Sequence, residues 1–410
     1  MQNYLDLIRG YPRQLLYGWF HSFFSNLGHT WLLSIFVPHI RETFELQRSE
    51  FGILFSAAIL AGAALLPTAG RLVDRFNLRF YSMTAGLSLV AACWIMASAG
   101  SLPLLFLGIF GLRFFGFSIL TQIDSISISR YFGKRRGMAL GISSLGNPLG
   151  TAVFPIIGSF LIMRFSWQES YFLIGLLCAL VFLPLSVLLL RKEDDFQHPS
   201  GTSPRDRSET ASVPQIGRRD VLRSPYFYFV LPVLVIPAFI LNGLIFHQGS
   251  LAAYKGWRPG WIASFFVMYG VGQSVASFGV GPMIDRLSAK AILPFYLFPM
   301  GLGLIVLTTM PGFPAGAICF GMFGLSMGSG RTVKSAIWAE VYGTRHLGAI
   351  RGLYFALAVF AGALTPALFG WFLDMGMDIN TLLFCGVALI AAASFLSFVA
   401  PDPGKTFAGS

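Results

Sequence analysis

Residues 70–79 read GRLVDRFNLR, and residues 281–290 read GPMIDRLSAK. Each stretch opens on glycine, carries an Asp-Arg pair four residues later (Asp74-Arg75 and Asp285-Arg286) and closes on a cation. Each also follows a long apolar run. A single GxxxDR string is a weak signal, but two copies about half a chain apart, at equivalent places between apolar runs, read as an internal duplication. Further matches support the same register. Tyr131-Phe-Gly-Lys-Arg-Arg136-Gly137 corresponds to Val341-Tyr-Gly-Thr-Arg-His-Leu-Gly-Ala-Ile-Arg351-Gly352, and Pro155 corresponds to Pro366.

The runs between these landmarks set the solvent. The chain has 410 residues, 55% hydrophobic and 11% charged, with a mean hydropathy of +0.68. Soluble domains carry roughly a quarter charged residues, because their surfaces face water. A bilayer core of about 30 Å takes about 20 helical residues. By that rule, spans are predicted near 15–40, 50–70, 80–100, 102–128, 138–162 and 169–191, then near 225–249, 259–281, 290–310, 313–339, 348–374 and 380–400. The expected fold is an all-α integral membrane protein of twelve helices in two pseudo-symmetric six-helix bundles. The bundles are 1–190 and 225–402, joined by a polar, Pro/Ser-containing linker at 191–224 and followed by a short tail at 403–410.

Charge orients the chain. With both termini cytoplasmic, the cytoplasmic segments hold about 21 of the 29 Lys and Arg residues, as the positive-inside rule expects. Arg41, Arg48, Arg164, Lys255 and Arg258 fall on the other side. This placement accounts for the net charge of +11 without a nucleic-acid partner. The polar start, Met1 to Arg13, reads as a short cytoplasmic tail rather than a cleavable signal peptide. Cys93, Cys178, Cys319 and Cys385 lie in apolar runs with no metal-ligand spacing and read as small core residues. No HExxH, GxSxG or P-loop string appears, so neither an enzyme, a cofactor nor direct use of ATP is expected. A receptor is expected to add a sizeable soluble domain, for which neither linker nor tail has the length.

Over essentially its whole length the sequence resembles the major facilitator superfamily of secondary transporters. GRLVDRFNLR is similar to that family's loop between helices two and three, GPMIDRLSAK to its second copy, and Leu112-Arg113-Phe-Phe-Gly116 to its intramembrane arginine motif. The resemblance implies a cavity between two six-helix halves that opens alternately to either side, in a protein acting as a monomer. It also implies that Asp74 and Asp285 help to hold neighbouring helices when the cytoplasmic side is shut. RRGMALGIS (135–143) and YGTRHLGAIRG (342–352) resemble bacterial permeases related to monocarboxylate and organic-anion porters. The chain departs from true monocarboxylate porters in lacking a cation in the first span and an Asp/Arg pair in the eighth, which offers Tyr269 and Gln273. Gly141, Gly146, Pro148 and Gly150 resemble the glycine–proline motif of drug antiporters, interrupted by Asn147. Export of drugs or metabolites is therefore the alternative within transport.

Charge inside hydrocarbon is costly and marks candidate functional residues. Arg113 is expected near the midplane. Asp124 follows eleven residues later, about 20° round a regular helix and about 16 Å along it, so both project from one face. Arg331 and Lys334, at i and i+3, share a face of the tenth span. Alignment of the repeats sets Asp124 opposite this pair in depth, and an ion pair that a proton or an anionic solute competes for is expected there. Asp124 and Lys334, with Asp74 and Asp285, are the candidates for proton coupling or gating. Three intramembrane cations against one acid favour a small organic anion as solute, with H+ as a possible coupling ion. Candidate solute contacts are Arg113, Arg331, Asn26, His29, Asn242 and Tyr354. His29, in mid-span, can exchange a proton near neutral pH. His247 reads as a packing residue. The short loops suggest a bacterial inner membrane as the setting.

Overall fold

The computed structural model describes residues 2–75, 77–132, 136–190, 218–258, 260–342 and 347–401. The linker and the tail beyond Pro401 lie outside the described residues. The chain divides into two compact units, Met1–Thr202 and Ser203–Ser410. Among the described residues there is no strand. Among the described residues, nine helical stretches are long and apolar enough to cross a bilayer.

The first unit begins with α1 (Gln2–Gly10), α2 (Pro12–Phe24) and α3 (Thr30–Thr43), followed by α4 (Arg48–Arg75) and α5 (Leu78–Ala97). Then come α6 (Leu102–Gly111), α7 (Leu120–Phe132), α8 (Arg136–Ser143), α9 (Gly146–Ile162), α10 (Trp167–Leu177) and α11 (Leu183–Leu189). Local chemistry sets several ends. Asn77 caps α5 by accepting from the Arg79 amide. Ser166 and Glu169 form a reciprocal capping box at α10, which satisfies two amides that the first turn leaves open. Arg13 donates to the Leu188 and Leu189 carbonyls at the end of α11, where the helix dipole favours a cation.

Two departures from regular helix matter. The first expected span is not continuous: Ser25–Gly28 form a 3-10 turn and His29 is extended (ψ 152°), so α2 and α3 are half-helices. Within the fourth span, Leu112–Ile119 form a π-helical segment between α6 and α7. The two irregular segments pack on each other. A Cβ at Gly28 would collide with the Leu112 carbonyl and the Phe117 amide, so only glycine admits this backbone approach.

The second unit holds α12 (Arg218–Arg223), α13 (Pro225–Phe246), α14 (Gln248–Lys255), α15 (Trp261–Leu287) and α16 (Ala289–Ile292). It continues with α17 (Phe298–Thr309), α18 (Gly312–Tyr342), α19 (Leu347–Asp374) and α20 (Ile379–Phe398). Helices α15 and α18 pack together closely, and a Cβ at Gly324 would strike the Tyr269 carbonyl. The ninth expected span is shorter than predicted. Only the 12 residues of α17 form a regular helix there, after five turn residues that follow the short α16. Large apolar side chains cover the outside, Phe298 and Phe398 each at 69% exposure, which suits a lipid solvent and no aqueous one. Of the four cysteines, Cys93, Cys178 and Cys319 are buried as expected, whereas Cys385 is exposed on α20.

Candidate functional site

The break in the first span organises the polar residues of the first unit. Asn26 lies in the 3-10 turn with no solvent exposure. Its amide donates to the Phe23 carbonyl (3.1 Å) and across to the Asn147 carbonyl on α9 (3.2 Å). Its Oδ1 accepts from Trp31 Nε1 (3.0 Å) and Thr151 Oγ1 (2.9 Å). Asn26 thus binds the break of the first span to α3 and α9, and its hydrogen-bonding capacity is taken up by protein. Beside it, the partly exposed His29 ring lies flat on Trp31, with centroids 4.0 Å apart and an 11° interplanar angle. Phe117 of the π segment meets the same imidazole obliquely at 4.3 Å. Asn147 Nδ2 faces His29 Nε2 at 3.4 Å.

Arg113 reaches this cluster from the π segment. Its Nη1 donates to the Gly28 carbonyl (2.9 Å) and to Thr30 Oγ1 (3.3 Å). The guanidinium carbon sits 4.9 Å from the Phe117 centroid and 5.7 Å from that of Phe55, distances at which a cation is attracted to a ring face. Its Nε is buried without a hydrogen-bond partner among the described residues. The first turn of α3 begins here too, with the partial positive charge of a helix N-terminus. Arg113, the α3 terminus and His29 therefore converge on one place, and every described hydrogen-bond partner of Arg113 is neutral.

Asp124 lies on α7 and is 5% exposed. A Cβ at Gly18 would stand 2.7 Å from its Oδ1, so the carboxylate rests against α2. Arg113 and Asp124 both face the first span, Arg113 at the break and Asp124 against α2. The even helix assumed in projecting them from one face is interrupted by the π segment, whose wider turn advances less per residue. The side chains of Asp74 and Asp285 lie outside the described residues.

In the second unit the predicted residues separate into three places. Asn242 and His247 belong to the seam of α13 and α19: the Asn242 amide adjoins Gly362, and His247 Nε2 bonds the Pro366 carbonyl at 2.9 Å. A carbonyl only accepts, so Nε2 carries the proton, as a packing histidine requires. Arg331 is exposed on α18 and interacts electrostatically with Tyr269 of α15. Lys334 lies 6.0 Å from the Tyr296 ring, and Tyr354 stacks obliquely on Trp338 at 5.9 Å. Gln248 is 2% exposed, and neither of its amide atoms has a hydrogen-bond partner among the described residues.

Sequence reasoning missed several participants. Trp31, Phe117 and Thr151 join the site only through tertiary packing, although Asn147 and Thr151 stand at the i, i+4 spacing that shares a helix face. It also passed over His21, which is fully buried. His21 Nδ1 donates to the Tyr17 carbonyl (2.8 Å), leaving Nε2 to accept from Ser82 (2.7 Å), whose hydroxyl contacts Ser186 (3.1 Å). This node ties α2 to α5 and α11. At the far end of α18, Glu340 accepts from the Ala289 amide and caps α16 directly after the second GxxxDR copy.

Comparison with known proteins agrees with this architecture. The chain is 26% identical over 404 residues to the hexuronate transporter of Bacillus subtilis (strain 168), covering 91% of each. It is 22% identical over 393 residues to monocarboxylate transporter 12 of Mus musculus, covering 90% of this chain and 81% of that one. Its fold superposes on the inward-facing, unoccupied crystal structure of a bacterial homologue of the human lysosomal transporter Spinster, with a TM-score of 0.68, 17% identity and 97% coverage of both chains. The profile of the Major Facilitator Superfamily matches residues 19–266. Helices, repeat and relatives converge, and the chain belongs to the major facilitator superfamily.

Proposed function

We propose that this protein is a secondary active transporter that carries a small organic anion, such as a carboxylate, across the cytoplasmic membrane by alternating access. The observation that supports this reading most is Arg113. A guanidinium inside the bilayer is costly unless matched, yet its described partners are a carbonyl, a hydroxyl and two aromatic rings. A planar carboxylate matches the remaining donors of that fork, and the α3 terminus adds to the attraction. The hexuronate and monocarboxylate relatives bear names of carboxylate solutes, which favours the same class. In this reading Arg113, Arg331, His29, Asn242 and Tyr354 meet or surround the solute, and Asn26 holds the site together. Asp124, Lys334, Asp74 and Asp285 serve coupling or closure. Twelve spans with both termini inside, a monomeric state and a bacterial inner membrane complete the proposal.

The test is a thermal-shift series on purified protein with lactate, D-glucuronate, neutral sugars and cationic amphiphiles. A ligand of the folded state raises the melting temperature by mass action. Carboxylates are expected to stabilise the wild type and not Arg113→Ala, and reconstituted vesicles are expected to accumulate the same solutes. Stabilisation by cationic or neutral amphiphiles alone rejects the anion and favours an exporter.

A further inference from the structure

We propose that His29 is the proton site coupled to anion binding: one anionic group of the solute bridges the Arg113 guanidinium and an imidazolium formed at His29. The inference rests on the reading of Arg113 as the anion's anchor and adds where the accompanying proton resides. Four observations carry it. The imidazole and guanidinium centres lie 4.3 and 4.9 Å from the centroid of the same ring, Phe117, which sets both groups beside one side chain. The imidazole is stacked on the Trp31 indole, whose face stabilises a cation. His29 is extended at the break between half-helices and partly exposed, whereas His21 and His247 are buried. Its Nε2 faces a side-chain amide, that of Asn147, which offers an N–H to neutral imidazole or, after a half-turn about its last bond, an oxygen to imidazolium.

The charged surroundings decide when the proton is held. Among the described residues on the elements packed around His29, the π segment contributes Arg113. The 3-10 turn and the first turn of α3 contribute Asn26, Thr30 and Trp31, and α9 contributes Asn147 and Thr151, none of which titrates near neutral pH. The titratable neighbour on α2, His21, is turned towards Ser82 of α5. With Arg113 nearby and no anion present, a second positive charge is disfavoured. A carboxylate between them reverses that sign, so the anion raises the proton affinity of His29 and the proton raises the affinity for the anion by the same factor. The proton comes from water on one side, sits on Nε2, and departs with the anion on the other.

Isothermal titration of the full-length protein with lactate and D-glucuronate, in bis-Tris and in MES buffers of equal pH, reads this directly. The buffer-dependent heat is expected to report on the order of one proton taken up per anion, and affinity is expected to weaken about tenfold per pH unit once His29 is neutral. His29→Gln should bind only as weakly as the wild type does at high pH, with no proton uptake and a flat pH profile. Asn147→Asp, whose carboxylate favours the imidazolium, should move the loss of affinity to higher pH. Anion binding that depends on Arg113 but takes up no proton overturns the inference and leaves the anion reading intact, as does undiminished uptake in His29→Gln. No binding of either anion removes both.

Discussion

Arg113 and Asn26 stand a few residues apart in space and do opposite work, which separates their expected phenotypes. Arg113 keeps a buried Nε with no described partner. A hydrogen bond to a charged group contributes about 1.5–3 kcal/mol, so Arg113→Ala should weaken carboxylate binding roughly 10- to 100-fold at little cost in melting temperature. Arg113→Lys keeps the charge without the planar fork and should recover only part of that affinity. Asn26→Ala should instead lower the melting temperature by several degrees. It removes the acceptor of the Trp31 indole N–H, at about 1–3 kcal/mol for a buried group left unsatisfied, while the Thr151 hydroxyl keeps the Asn147 carbonyl. Substrate protection measured alongside thermal stability distinguishes the two. Asp124→Asn is expected to alter the pH dependence of uptake, because it removes the acid buried against Gly18; unchanged transport across pH would reject a coupling role for Asp124.

At the scale of elements the decisive contact is backbone on backbone, Gly28 against residues 112–117. Gly28→Ala would drive a methyl group into the Leu112 carbonyl and the Phe117 amide, and a backbone neighbour cannot rotate away as a side chain can. The variant should be recovered poorly as a monodisperse species on size-exclusion chromatography. Gly141→Ala, whose Cβ meets nothing within 4 Å, should be neutral or slightly stabilising. The same contact explains what was legible in the sequence. Span positions were readable because lipid demands long apolar runs, and the 3.6-residue period put Arg113 and Asp124 on one face of the fourth span, a regular spacing that the π segment interrupts. The break at 25–29 was not readable, because Ser25-Asn26-Leu27-Gly28-His29 is flanked by apolar residues that continue the run on both sides. The π segment leaves no compositional mark at all, since its wider turns arise from packing. Trp31 and Phe117 were equally hidden: among 41 phenylalanines and 8 tryptophans, only the fold distinguishes the ring that faces an arginine.

At the scale of the whole molecule, the arrangement of basic residues makes a claim about orientation that is independent of any site. The five cations that the charge bias assigns to the outside include Lys255, whose ammonium donates to Asn380 Oδ1 at 3.2 Å beside Tyr254 and Asp378, within a cluster that joins the end of α14 to the start of α20. Burial lowers the proton affinity of Lys255 and the Asp378 carboxylate opposes that shift. Such a cation is anchored by its neighbours, whereas the basic clusters at 71–79, 130–136 and 218–223 crowd short segments beside span ends, where the positive-inside rule acts most strongly. A fluorescent protein fused after Ser410 should therefore fold and fluoresce inside the cell, and alkaline phosphatase at the same position should be inactive. Phosphatase inserted between Lys255 and Arg258 should be active. The reverse pattern would invert the assigned orientation, and activity at both positions would require an even number of spans between them, contradicting the six-plus-six repeat that the two GxxxDR copies imply.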